Sequence, residues 1–151
     1  MFVSDLLTPE RIYPKVRSSS KKRLLEMIST ALSRNSASLE DREVFDSLCS
    51  RERLGSTGLG KGVAIPHARV SGCSAPQAVF LRLARPLAFD AADGKPVDLV
   101  FVLAVPESCT DDHLKLIAQI AELFSDPDLL ERLREAPDSS ALLQLLSTAK
   151  H

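Results

Sequence analysis

Apolar positions recur along this chain with two different spacings. Leu24, Leu25, Met27, Ile28, Ala31 and Leu32 follow the three-to-four-residue step of a helix buried on one face, which predicts an amphipathic helix over Lys21–Ser33. Ser18-Ser19-Ser20 precedes it and offers hydroxyl oxygens for its N-cap. Ser38-Leu39-Glu40-Asp41 has the form of a capping box with Asp in the acidic role, and predicts a second helix through Val44, Phe45, Leu48 and Cys49 to about Arg53. The last third repeats the helical spacing. Thr110–Phe124 presents Leu114, Ile117, Ala118, Ala121 and Leu123. Asp126-Pro127 opens a further helix with proline at its first position, and Asp138 opens another through Leu142, Leu143, Leu145 and Leu146.

Strand signals lie between these helices and before them. A short strand over Ile12–Val16 follows a brief helical start at Thr8-Pro9-Glu10. Val63–Ile65 is stopped by Pro66, Ala78–Leu83 follows, and Asp93-Gly94 marks a turn. Val97–Val105 is a nearly unbroken apolar run, the pattern of a strand covered on both faces. Helices at both ends and strands in the middle predict an α/β fold with helices on both faces of one sheet. Only one connection between strands has room for a long helix, so the sheet is expected to be mixed.

Composition narrows the function classes. The chain has 151 residues, 44% of them hydrophobic and 26% charged, ordinary for a globular protein and consistent with one domain over 1–151. The formal net charge of −1 lacks the basic excess of a general nucleic-acid binder. With no Trp and one Tyr, the aromatic platform for single-strand binding is missing too. No apolar run approaches the roughly 20 residues needed to span a bilayer, so no membrane insertion is expected. The start, Met1-Phe2-Val3-Ser4-Asp5, lacks signal-peptide features. Cys49, Cys73 and Cys109 are odd in number and form no CxxC pair, which suits free thiols in a reducing cytoplasm.

The candidate chemistry begins where the glycines cluster. Gly55, Gly58, Gly60 and Gly62 fall within eight residues and run into Val63-Ala64-Ile65-Pro66-His67. Gly55-Ser56-Thr57-Gly58-Leu59-Gly60-Lys61 matches GxxxxGK, but Gly62 stands where a nucleotide-binding P-loop needs a magnesium-holding Ser or Thr, and the loop leads from helix to strand instead of strand to helix. The spacing of a dinucleotide fingerprint fails as well. What remains is a glycine-rich loop whose backbone N–H groups are able to approach an anion, followed by a histidine held by a proline at a strand end. Two readings of His67 stand at this point. It hydrogen-bonds a turn, or its neutral imidazole is a nucleophile that accepts a phosphoryl group. A zinc site from His67, His113 and Cys109 has no short-spaced ligand pair to support it, so no metal is expected.

The stretch Arg51–His67, RERLGSTGLGKGVAIPH, resembles the enzyme IIA components of the bacterial phosphotransferase system, fructose/mannitol superfamily. Phe89-Asp90-Ala91-Ala92-Asp93-Gly94-Lys95-Pro96-Val97-Asp98-Leu99-Val100-Phe101 and Asp112-His113-Leu114 fit the same family in order and spacing. The likeness covers nearly the whole chain and is strongest to the nitrogen-regulatory branch. It implies a mixed sheet of about five strands between helices. It implies that His67 is the phosphoryl acceptor, with His113 as the second histidine and Arg51 as the motif arginine. Ala68 stands where many relatives have glycine, which bears on the local turn.

On this reading backbone N–H groups at Gly58 and Gly60, with the hydroxyls of Ser56 and Thr57, answer the charge of the transferring group, and the planar fork of Arg51 faces phosphate oxygens. Arg51 reads equally as a solvated arginine suited to the negative end of its helix. His113, in the first turn of its helix, is expected to orient the phosphoryl group, the alternative being an exposed capping residue. Arg53, Lys61 and Arg69 flank the motif as a basic rim or as ordinary surface charge.

The resemblance implies a phosphocarrier charged by an HPr- or NPr-type phosphohistidine protein. It needs no cofactor, and acts on regulatory targets of which potassium transport and sensor kinases are examples in the family. Two alternatives stay open: a sugar-specific enzyme IIA that passes the group to a IIB component, and an adaptor that no longer accepts phosphate. That the chain ends at His151 without a linker to a further component leans towards regulation.

Overall fold

The computed structural model describes residues 3–108 and 111–148. Six strands form one mixed sheet: β1 (Ile12–Val16), β2 (Gly58–Gly60), β3 (Val63–Ala64), β4 (His67–Val70), β5 (Gln77–Leu87) and β6 (Val97–Pro106). Five helices cover it: α1 (Lys21–Arg34), α2 (Asp41–Arg53), α3 (Asp111–Leu123), α4 (Pro127–Glu135) and α5 (Ser139–Thr148). Two turns of 3-10 helix, Val3–Leu6 and Pro9–Arg11, precede β1.

The helix starts follow the sequence in most places. Ser20 Oγ accepts from Arg23 N at the head of α1, and Asp126 Oδ1 accepts from Asp128 N with Pro127 at the first position of α4. Asp138 Oδ1 accepts from Ala141 N ahead of α5. The head of α2 differs from the expected capping box. Glu40 and not Ser38 is the N-cap and makes no side-chain cap bond, which leaves Asp41 as the first helical residue, and its carboxylate accepts from the Thr30 hydroxyl on α1 at 2.9 Å. The acid expected in the capping box makes a tertiary contact. Thr110 lies outside the described residues.

The strand order is β1-β5-β6-β3-β2, with β4 also on β6. β5 and β6 pair antiparallel, with Phe80 opposite Phe101; β1 joins β5 in parallel, and β3 and β4 join β6 in parallel. The apolar run of β6 explains the layering. Its residues alternate faces, so Leu99, Phe101, Leu103 and Val105 enter the core under α3, α4 and α5, while Val100, Val102 and Ala104 enter the core under α1 and α2. Phe80, Phe101 and Phe124 meet within the first of these, with ring centroids 5.9–6.4 Å apart. Burying each such ring contributes roughly 1.5–3 kcal/mol.

The sheet has six strands where about five were expected, and sequence reading missed two: β2 in the glycine loop, and β4, which begins at the histidine. Glycine disfavours strands, yet Gly58 pairs with Ala64 and Gly60 with Val63 because β3 offers a free edge. At Gly58 a side chain would meet the Ala91 Cβ at 2.7 Å, so the close approach there demands glycine. Pro66 was expected to end its strand. It removes one N–H, but its carbonyl accepts from Leu103 N at 3.0 Å. The ladder then resumes on the same register: Val63 lies opposite Leu99, and four residues on, His67 lies opposite Leu103. β3 and β4 run along β6 as one strand interrupted by a proline, with β2 paired on the outer side of β3.

Gly62 sits at φ +81°, a backbone conformation that side-chain-bearing residues avoid. A Cβ there would meet Asp98 Oδ1 at 2.8 Å, inside the bidentate Asp98–Arg134 pair (2.8 and 2.9 Å) that joins β6 to α4, whose Arg134 also donates to the Lys61 carbonyl of the loop. Gly62→Ala is therefore expected to destabilise the protein by about 2 kcal/mol or more. Urea denaturation checks this, and an unchanged midpoint would show that the loop relaxes without cost.

Candidate active site

Three elements meet beside β4, where the sheet ends. Asp46, Ser47, Ser50, Arg51 and Leu54 from the end of α2, His67, Ala68 and Arg69 from β4, and His113, Leu114 and Ile117 from α3 line an open cleft of about 620 Å³. The cleft straddles the sheet edge, because α2 and α3 lie on opposite faces. His67 and His113, distant in sequence, stand with ring centroids 5.5 Å apart.

The hydrogen bonds of His67 define its protonation. Nδ1 lies 2.7 Å from the carbonyl oxygen of Ile65, which only accepts, so Nδ1 carries the proton. Nε2 then keeps its lone pair and accepts from Arg51 Nε at 3.1 Å. The nucleophilic nitrogen faces the arginine. Burial first, then the Arg51 charge, hold His67 below the ordinary imidazole pKa; the Ile65 hydrogen bond and Glu52 oppose them. His67 is thus a neutral, oriented base at neutral pH.

His113 is only 6% exposed, and its Nδ1 has no hydrogen-bond partner among the described residues. Burial lowers its pKa to about 4, and the neighbouring His67 ring and the charges of Arg69 and Arg51 act in the same direction. Arg51 gives one N–H to the Gly55 carbonyl at 2.9 Å and, like Arg69, has no ion pair among the described residues. The cleft therefore combines two neutral imidazoles with two guanidinium groups that form no ion pair among the described residues. That arrangement suits an incoming dianion.

The structure brings His67, His113 and Arg51 together, and adds Arg69 from the basic rim. It places the glycine loop elsewhere. The Ser56 hydroxyl donates to the Phe89 carbonyl at 2.7 Å and accepts from Gly58 N, and the Thr57 hydroxyl donates to Glu52. Gly58 and Gly60 are spent on pairing with β3. None of these four residues lines the cleft. The expected phosphate cradle at Ser56, Thr57, Gly58 and Gly60 is here a structural hairpin, since its donors already have partners. Lys61 N–H donates to Asp93 at 2.9 Å and its carbonyl accepts from Arg134, also away from the cleft. Cys109 lies outside the described residues. Sequence reading missed Ser47 and Ser50. For Ser47 the signal available was its helical spacing from Arg51, since the position four residues earlier on α2 shares its face; Ser50, adjacent to Arg51, carried no such signal.

Two large apolar side chains stand open on the rim, Leu54 at 84% exposure and Leu114 at 63%. Among the described residues no helix is long and apolar enough to cross a membrane.

Comparisons with known proteins show the family of this fold. The family model described as phosphoenolpyruvate-dependent sugar phosphotransferase system, EIIA 2, matches residues 5–149. A nitrogen regulatory protein of Pseudomonas aeruginosa is 46% identical over 144 residues, covering 95% of this chain and 94% of its own length. The crystal structure of nitrogen regulatory protein IIA-Ntr from Neisseria meningitidis superposes with a TM-score of 0.90 at 40% identity, over 95% of this chain and 98% of that one. A fructose-specific EIIABC component of Bacillus subtilis is 28% identical over 97% of this chain, which matches 23% of that longer protein. The chain belongs to the EIIA 2 family of the phosphotransferase system, a phosphotransfer-type component whose relatives include nitrogen regulatory proteins.

The lowered pKa of His113 has a consequence for stability. An unfolded chain protonates this histidine near its ordinary value of 6.5, whereas the folded protein resists down to about 4. Its contribution is complete above pH 6.5 and is lost as pH falls from there to about 4. In urea denaturation followed against pH, His113→Gln is expected to show a shallower fall across that window than the unsubstituted protein. Parallel curves would show that His113 titrates normally.

Proposed function

We propose that this chain, acting as one EIIA domain over 1–151, is a phosphocarrier in which His67 Nε2 accepts a phosphoryl group from a phosphohistidine protein of the HPr or NPr type. One observation carries the reading: the Ile65 carbonyl holds the proton on Nδ1, so the Nε2 lone pair is available at the cleft. In the transfer the phosphorus–nitrogen bond of the donor breaks, a new bond forms to Nε2, and the donor imidazole recovers its electron pair. Nδ1 keeps its proton against Ile65, so phosphorylated His67 retains imidazolium character and departs as neutral imidazole in the next transfer. The transferring group spreads negative charge over three oxygens. Arg51 turns its fork from Nε2 to those oxygens, Arg69 adds a second cation, and the buried imidazole of His113 orients the group as a neutral hydrogen-bonding partner. Exposed Leu54 and Leu114 suit a protein donor, since apolar side chains beside a polar centre gain by being covered.

The regulatory role follows from the same chemistry. Phosphorylation adds about −1.5 to −2 of charge in the middle of this surface, enough to change which proteins dock there. The nitrogen-regulatory reading is favoured over sugar transport by the 46% identity to a nitrogen regulatory protein against 28% to a fructose-specific component. Targets in potassium transport or sensor kinases belong to that reading, as does a cytoplasmic location, which the free Cys49 thiol suits. The adaptor alternative is disfavoured by the intact, oriented His67.

Incubation with phosphoenolpyruvate, enzyme I and an HPr- or NPr-type carrier, followed by intact mass, tests this. One acid-labile phosphoryl group is expected, absent in His67→Ala, and Arg51→Lys should load about 10²-fold more slowly because the fork is lost while the charge remains. No gain while another enzyme IIA is loaded in parallel would overturn the phosphocarrier reading. Rapid onward transfer to a fructose-specific IIB component would return the assignment to sugar transport.

A further inference from the structure

Glu52 follows Arg51 in sequence, yet its side chain does not enter the cleft. It turns inward and is only 7% exposed. A buried carboxylate must be answered by donors, and three answer this one. Lys21 Nζ lies 2.8 Å from Oε1, Thr57 N donates to Oε1 at 3.3 Å, and the Thr57 hydroxyl donates to Oε2. Lys21 is itself held, over the Phe89 ring at 4.4 Å and against the Phe89 carbonyl at 3.3 Å. The carboxylate thus fastens the head of α1, the end of α2 and the glycine hairpin at one point.

From Thr57 a short path leads to the imidazole. The Thr57 carbonyl accepts from Ile65 N at 3.0 Å, and the Ile65 carbonyl accepts the Nδ1 proton of His67. On the other side Arg51 reaches both the Gly55 carbonyl and His67 Nε2. Consecutive residues of α2 therefore grip consecutive parts of one loop, and each grip ends on a different nitrogen of the same ring. We propose that Glu52 is a positioning residue that sets the tautomer and aim of His67 by holding Thr57, and through it Ile65, in place. The inference deepens the proposed role of His67 and rests on it for its catalytic consequence. Glu52 also opposes the Arg51 charge at the ring.

Ring-nitrogen NMR of the full unphosphorylated chain reads the tautomer directly, and loading by a phosphohistidine carrier reads the consequence. In Glu52→Gln the His67 signals are expected to move from a single Nδ1–H form to a mixture of both neutral tautomers, with loading slowed about 10- to 100-fold. Thr57→Val, which removes only the hydroxyl, is expected to shift the mixture in the same direction by less, and carries the test alone if Glu52→Gln does not fold. A folded variant that retains the single Nδ1–H tautomer overturns the proposal, even if it melts earlier, because Glu52 would then be merely structural. The NMR readout needs no phosphoryl group. A wild-type chain that never loads therefore defeats the phosphocarrier reading, and the tautomer result separately decides the role of Glu52.

Discussion

The hydrogen bond from His67 Nδ1 to the Ile65 carbonyl is the constraint on which the site depends. Neutral imidazole has one donor and one acceptor, and nothing intrinsic decides which nitrogen is which. A carbonyl two residues earlier makes that choice, but only if the backbone between them is rigid. Pro66 supplies part of the rigidity by fixing its own φ and by keeping Ile65 extended. The sheet supplies the rest. β3 and β4 lie on the same register along β6, so the proline is pinned on both sides and its carbonyl is itself bonded to Leu103.

Everything else at the cleft follows from where that edge lies. A histidine in the middle of the sheet would be sealed under helices. At β4 the sheet stops, and α2 and α3 approach from opposite faces without closing over it. Arg51 reaches in from the end of one helix and His113 from the first turn of the other. Burial then keeps both histidines neutral while the guanidinium groups keep their charge, because arginine is effectively always protonated in proteins. Opposite behaviour from neighbouring groups in one environment places an imidazole lone pair beside two cations.

The glycine loop shows how a motif misleads when its fold is unknown. Four glycines beside Ser56 and Thr57 suggest a phosphate cradle by composition. In the fold the hydroxyls turn to Phe89 and Glu52, and the glycines admit Ala91 and the Asp98–Arg134 pair at close range. The loop serves the site from behind, by fixing the backbone that orients His67, and Glu52 with Lys21 anchors it there.

Local signals were enough for the helices, since Ser20, Asp126 and Asp138 cap where their spacing places them, and for the central strand, whose apolar run β6 satisfies by alternating between two cores. The seventeen-residue stretch ending at His67 was enough to mark the family. The capping acid of α2, the glycine strand β2 and the resumption of pairing after Pro66 were not legible: the first and last depend on partners distant in the chain, Thr30 and Leu103, and β2 is concealed by the poor strand preference of its glycines. The same holds within the site. Residue types along the chain determined that an imidazole and an arginine were available. Only tertiary contact decided that Arg51 faces Nε2, that His113 is buried beside His67, and that Glu52 and Thr57 turn to each other, because hydrogen bonds and burial belong to pairs of groups in space and not to positions in a sequence.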